Sequence, residues 1–164
     1  VDTEHAFAEI ANRHRGIIYK VARSYARNEE ELQDLVQEIL LQIWLSLKTY
    51  RSVYALSTWL YRIALNVSIS FLRKEESRRK RLDRVGNKWI LEQPLPERSE
   101  RQELLHQWIQ QLDPLNRALI LLYLDDYSHA EIADILGISK SNVGTKLSRL
   151  RSRLKIFFTK KIRP

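Results

Sequence analysis

Residues 137–164 hold nine Lys and Arg and no Asp or Glu, and within them Lys140, Ser141, Asn142, Thr145, Lys146, Arg149 and Arg153 recur at helical spacings. On a helix these residues take the outward side, and cationic and hydrogen-bonding groups in that order suit a nucleic-acid major groove. The early members would reach base edges and the later ones phosphates. A second basic block spans 62–84, with eight Lys and Arg against three Asp and Glu. Here Arg62, Asn66, Ser70, Arg73 and Lys74 stand mainly three and four apart and continue to Ser77 and Arg81, a ridge that suits a groove or a strand. The other segments lean acidic, with seven bases against eight acids over 1–61 and four against nine over 85–136. Charge placed only for solubility would be interspersed. Separate basic blocks favour a polyanion, because each neutralised phosphate releases condensed counterions.

A different surface is written into residues 29–48. Leu32, Leu35, Val36, Ile39, Ile43 and Leu47 make the core stripe of a helix, and Glu31, Asp34, Glu38, Leu41 and Leu45 make a second stripe beside it. Asp34 and Glu38 stand four apart, where like charges cost a few tenths of a kcal/mol. An acidic and apolar strip on an already amphipathic helix points to a protein-binding face; a plain solvated face fits the same pattern.

Much other chemistry is excluded. The 164 residues include no Cys, and the four histidines (His5, His14, His106, His129) are too scattered for a metal site, so no metal or cofactor is expected. Gly16, Gly86, Gly137 and Gly144 match neither a phosphate-binding loop nor a dinucleotide fingerprint. No base, nucleophile and oxyanion donors converge, so no enzyme is expected. Nor does any apolar run approach the ~18 residues of a spanning helix. Charges are mixed throughout residues 1–25, so neither a signal peptide nor an anchor is expected and the reducing cytoplasm is the expected compartment. The absence of Met implies that an initiating residue was removed or lies outside these residues.

The elements that must position these groups are helical. With 44% hydrophobic and 29% charged residues but only four Gly and four Pro, the chain can bury a core and lacks the turns of a sheet-rich fold. Phe7, Ile10, Ala11, His14, Ile17, Ile18, Val21, Ala22 and Tyr25 form one stripe, predicting a single amphipathic helix over 5–27 with His14 at the core edge. After a polar loop over 49–56, Ser57 is expected to cap a third helix with Leu60, Ile63, Ala64, Val67 and Phe71 inward. The pattern dissolves around Gly86, Pro94 and Pro96, where Trp89, Ile90 and Leu91 form a short apolar patch. A helix over 100–111 then buries Leu104, Leu105, Trp108 and Ile109, and Asp113-Pro114 opens another through Leu115, Leu119, Leu122 and Tyr123.

Ser128-His129-Ala130-Glu131 is a capping box, Ile132, Ala133 and Leu136 are apolar, and Gly137 supplies a left-handed turn plugged by Ile138. Ser139 then caps a helix with Val143, Leu147 and Leu150 inward, completing a helix-turn-helix. Gly144 in that helix costs ~1 kcal/mol against Ala and is expected to let the backbone approach DNA closely. The fold expected is all-α: two helical domains, 1–82 and 100–164, joined by a flexible linker over 83–99, with the helix-turn-helix in the second.

Leu32-Gln33-Asp34-Leu35-Val36-Gln37-Glu38-Ile39 with Ile43-Trp44 resembles the polymerase-binding segment of bacterial sigma factors. Thr58-Trp59-Leu60-Tyr61-Arg62-Ile63-Ala64-Leu65-Asn66 resembles their promoter-melting and promoter-reading segment, and Leu112 through Leu154 resembles their fourth region. Three motifs in order cover most of the chain, and the short linker is similar to that of the extracytoplasmic-function (ECF, group IV) sigma factors. The resemblance implies that the first domain is sigma region 2 and the second sigma region 4, and that the chain directs core RNA polymerase to promoters and helps open them.

Asp34, Gln37 and Glu38, with Leu41 and Leu45, would then meet the clamp helices of the largest polymerase subunit, and the polymerase flap is a further expected contact. Arg62, Asn66, Ser70, Arg73 and Lys74 would contact the −10 element. Tyr50, Tyr54 and Ser57 would capture a flipped base, while Trp59 fills the core at the helix start. Lys140, Ser141, Asn142, Thr145, Lys146, Arg149 and Arg153 would read the −35 element. An anti-sigma protein is an expected partner. Ser70, Asn142, Gly144 and Lys146 depart from the family's usual residues, so promoter preference does not transfer. The alternative is a stand-alone helix-turn-helix regulator whose N-terminal half senses a ligand or dimerises.

Overall fold

The structure, a computed structural model, describes residues 3–51, 55–83 and 99–162. The described residues form eight α-helices, a single 3₁₀ turn and no strand. The chain divides into two compact units, Val1–Leu95 and Pro96–Pro164. The patch Trp89, Ile90 and Leu91 lies outside the described residues.

In the first unit the helix expected over 5–27 is two helices, α1 (Thr3–Arg13) and α2 (Arg15–Tyr25). His14 stands between them at φ −109° and ψ 22°, and its carbonyl accepts the N–H groups of Ile17 and Ile18 at 3.1 and 3.3 Å. One non-helical residue leaves the apolar spacing nearly in phase, so periodicity does not register the break. Buried residues begin only in α2, at Ile18, Val21, Ala22 and Tyr25. Phe7 of α1 still meets Trp44 edge-to-face, with centroids 5.3 Å apart.

The next helix, α3 (Glu29–Ser46), starts at Asn28, whose side chain accepts the Glu31 N–H at 2.8 Å. It buries Leu32, Leu35, Val36, Ile39 and Ile43, as the pattern predicts; Leu47 falls in the 3₁₀ turn Leu47–Thr49 and is half-buried. The long α4 (Leu56–Asp83) is entered two residues before Ser57 could cap it: the Trp59 N–H reaches the Ala55 carbonyl at 3.1 Å, and Ser57 sits inside the first turn. Its buried face is Leu60, Tyr61, Ile63, Ala64, Leu65, Ser68 and Leu72. Val67 and Phe71, expected inward, are only half-buried. Because α4 packs against both α2 and α3, its buried arc is wider than the apolar stripe and takes in Tyr61 and Ser68. Each large side chain so buried contributes roughly 1.5–3 kcal/mol.

In the second unit, α5 (Glu100–Gln110) opens on a reciprocal capping box between Ser99 and Gln102. It buries Trp108 and Ile109, with Leu104 and Leu105 half-buried. Asp113 caps α6 (Pro114–Leu124), which is buried nearly all round through Ala118, Leu119, Ile120, Leu121 and Leu122. Arg117 of α6 is only 5% exposed. Its guanidinium donates to the carbonyls of Gln110 and Leu112 at 3.0 and 2.9 Å, satisfying acceptors that the end of α5 leaves open.

A capping box between Ser128 and Glu131 starts α7 (His129–Leu136), and Gly137 ends it at φ 69°. Ile132 and Ile135 are buried there, and the expected Ala133 and Leu136 are half-buried. Ser139 accepts the Asn142 N–H at 3.1 Å and opens α8 (Lys140–Ile162), which buries Val143, Leu147 and Leu150. No helix among the described residues is long and apolar enough to cross a membrane.

Candidate nucleic-acid and partner interfaces

The Gly137 turn aims α8 so that its apolar stripe seats against α6 and α7. Lys140, Ser141, Asn142, Thr145, Arg149 and Arg153 are exposed, and Lys146 is half-buried. The Thr145 hydroxyl donates to the Ser141 carbonyl at 3.1 Å, leaving its lone pairs outward as acceptors. Gly144 does not belong to this face. A Cβ built there would lie 3.7 Å from His129 Nδ1, so the missing side chain points at α7, and the expectation of close backbone approach to DNA gives way to one of helix packing.

In the first unit, α3 and α4 leave an open groove of about 880 Å³ between them. Asp34, Gln37, Glu38 and Leu41 line it from α3, and Asn66, Ser70 and Lys74 line it from α4 over an apolar surface of Ile63, Val67 and Phe71. Two stripes read from the sequence as separate sites therefore face the same space. Leu41 and Leu45 are 53% and 61% exposed, far more than their neighbours on the core stripe. Arg73 is exposed and Arg62 half-buried, and neither lines the groove.

Glu31 leaves the stripe assigned to it. Its carboxylate accepts the Arg27 backbone N–H at 2.9 Å and pairs with the Arg27 guanidinium at 3.3 Å, which ties the loop before α3 to its first turn. Glu75, also on the groove, pairs with Arg78 at 3.7 Å. Sequence reasoning missed Gln42, Ile63, Val67 and Phe71 as groove residues because an apolar stripe predicts burial without saying what buries it.

Trp59 is half-buried and does not fill the core. Its ring lies 4.8 Å from that of Tyr50, tilted by 48°, so the 3₁₀ turn and the start of α4 present an aromatic pair. Tyr54 lies outside the described residues, and Ser57 is half-buried beside the pair in sequence. Among the described residues no cluster of three or more His, Cys, Asp or Glu could hold a metal ion.

Residues 10–78 match the family model of sigma-70 region 2, and residues 102–154 match that of sigma-70 region 4. The RNA polymerase sigma factor NccH of Alcaligenes xylosoxydans xylosoxydans is 30% identical over 159 residues, which cover 92% of this chain and 86% of that one. The ECF RNA polymerase sigma factor SigW of Bacillus subtilis is 28% identical over 165 residues, covering 93% and 88%. The chain belongs to the ECF sigma factors. This sigma factor shares its fold with the sigma factor RpoE of Bartonella quintana, solved in complex with the anti-sigma factor NepR, at a TM-score of 0.77 over 97% of this chain and 98% of that one, with 22% identity. CnrH, solved with the cytosolic domain of CnrY, superposes at a TM-score of 0.67 over 94% and 88%, with 25% identity. In the sigma factor, the groove falls within the region 2 match and the α7–α8 hairpin within the region 4 match. The end of α8, residues 155–162, extends beyond that match.

Proposed function

We propose that this ECF sigma factor, a group IV member acting in the cytoplasm, docks on core RNA polymerase through Asp34, Gln37, Glu38, Leu41 and Leu45 and reads promoters through α4 and α8. The observation that carries the docking assignment is the pair of exposed leucines beside two carboxylates on a helix whose opposite side is fully committed to the core. Apolar area at the centre of a polar rim is what a protein partner needs and what DNA does not. The clamp helices of the largest subunit would lie along this strip, and the polymerase flap would meet the second unit.

On DNA, Arg62, Asn66, Ser70, Arg73 and Lys74 would face the −10 element, and Lys140 to Arg153 the −35 element. Opening a promoter in this way is binding rather than catalysis. Extruding a base costs a few kcal/mol, and stacking it on an aromatic surface returns ~1–3 kcal/mol. The Tyr50–Trp59 pair, with Tyr54 and Ser57, is the surface assigned to that capture.

An anti-sigma protein is the remaining partner. RpoE and CnrH were each solved with a protein bound. A partner helix seated in the α3–α4 groove here would cover the docking carboxylates together with Asn66, Ser70 and Lys74 of the −10 ridge, because all of these line it. Run-off transcription with purified core polymerase over a promoter library tests the whole reading: specific transcripts are expected only when the chain is added. Tight binding to duplex DNA by the chain alone, with no association with core polymerase, would instead favour the stand-alone regulator.

A further inference from the structure

The count of seven bases against eight acids over 1–61 conceals a third basic stretch. Residues 10–28 contain Arg13, Arg15, Lys20, Arg23 and Arg27 and no Asp or Glu; the acids lie on either side. Arg15, Lys20 and Arg23 are therefore the charged groups of α2 beyond its buried face, and Arg15 and Arg23 are organised around Tyr19. The Arg15 guanidinium lies 5.2 Å from the centre of the Tyr19 ring and that of Arg23 lies 5.7 Å from it. One cation sits a turn before the ring and one a turn after, within cation–π range. Both arginines are exposed, and among the described residues neither pairs with a carboxylate. Arg27, by contrast, is neutralised by Glu31.

We propose that Arg15, Tyr19 and Arg23 form a further nucleic-acid contact of the first unit, holding the sugar-phosphate backbone of promoter DNA. The ring restrains two long side chains that would otherwise lose rotamer freedom on binding, and so presents two bidentate donors on either side of one ring, 5.2 and 5.7 Å from its centre. Their planar forks suit phosphate oxygens and carry no base information. Chemistry separates this ridge from a protein-docking face. None of the exposed large hydrophobic residues, Leu41, Leu45, Leu124, Ile156 and Ile162, lies on α2. A cationic and aromatic surface without apolar area tracks a phosphate backbone; a protein interface needs a dry centre. The inference rests on the reading that this chain binds promoter DNA, and the test separates the two.

The experiment uses the full chain with labelled single-stranded and duplex oligonucleotides of about forty nucleotides, titrated between 50 and 200 mM salt, with affinity for core polymerase measured alongside. The R15Q/R23Q variant is expected to bind more weakly and to lower the salt slope by about 1.4 on single strands or about 1.8 on duplex, and whichever DNA form shows the loss identifies the strand state held. R15K/R23K is expected to keep the slope while losing affinity, and Y19L to lose affinity that Y19F retains. Helical signal and melting temperature should match the parent throughout. Unchanged affinity and slope in R15Q/R23Q, with a normal loss in R149A/R153A, would overturn the inference and leave the DNA-binding reading intact. No loss in either pair would overturn both. Unchanged DNA binding with lost core polymerase binding would reassign the ridge to a protein partner and overturn the inference as well.

Discussion

The α3–α4 groove and the α7–α8 hairpin are both exposed, both helical and both polar, yet they are built for different partners. The groove mixes carboxylates, amides and a lysine with Leu41, Ile63, Val67 and Phe71, and the exposed Leu45 follows Leu41 one turn on along α3. The outward face of α8 between Lys140 and Arg153 exposes cations and hydroxyls, and its apolar residues Val143, Leu147 and Leu150 are all buried. Affinity for protein draws on apolar area removed from water, at ~25 cal/mol per Å². Affinity for nucleic acid draws on counterion release, which needs only placed charge. The two surfaces should therefore fail differently, under different substitutions and different salt.

The largest effect is expected from L41E/L45E, which puts two charges where apolar contact is needed. Core polymerase affinity should fall by two orders of magnitude or more, while the helical signal and binding of α8 to duplex DNA stay at parental levels, since neither leucine is buried. D34A/E38A should weaken polymerase binding less and in a salt-dependent way. Undiminished affinity in both variants would erase the contrast between groove and hairpin.

A tenfold-scale effect is expected from Arg149→Ala. As a phosphate contact it should weaken binding to every promoter alike and reduce the salt slope by about one. Changes at Lys140, Ser141 or Asn142 should instead alter sequence preference. If Arg149→Ala changed the preferred sequence and left the slope alone, its assignment to phosphate would be wrong.

Gly144→Ala sharpens the comparison from inside the hairpin. The added methyl would make ordinary contact with His129 and lie away from the outward face, so the variant should gain about 1 kcal/mol in denaturant unfolding with promoter preference unchanged. A loss of DNA binding would restore close backbone approach as the reason for glycine there.

The smallest effect concerns His14, at the break between α1 and α2. Burial first, and Arg13 second, hold its imidazole below the ordinary value of 6.5. The folded chain then keeps His14 neutral where the unfolded chain would already take up a proton, so its contribution to stability is complete above pH 6.5 and declines as the pH falls through that value. His14→Gln should flatten this small acid-side decline in melting temperature. A decline of the same size in the variant would assign it to other groups.

Local chemistry makes part of this molecule readable from its residues alone. In the hairpin, the capping box at Ser128, the left-handed Gly137, the Ser139 cap and the stripe Val143, Leu147 and Leu150 each depend on residues within four positions of one another, and each stands where the spacing puts it. The core stripe of α3 is legible for the same reason. The break at His14 is not, because one irregular residue barely disturbs a helical period. Nor is Arg117, a charged residue buried near the start of α6, whose partners are the carbonyls of Gln110 and Leu112 across a turn.

By itself, then, the sequence determined that the chain is helical, where its helices begin and end to within a turn or two apart from the break at His14, and which segments carry excess charge. Those properties follow from periodicity, caps and composition, which act over a few residues. Only the tertiary structure decided that Val67 and Phe71 face a groove while Tyr61 and Ser68 are buried, because the rotation of α4 is set by packing on α2 and α3 at once. It likewise decided that Asp34 and Glu38 share one space with Asn66, Ser70 and Lys74, residues some thirty positions away in the chain. Which side chains face one another across two helices depends on their crossing, and nothing in the spacing along either helix encodes it.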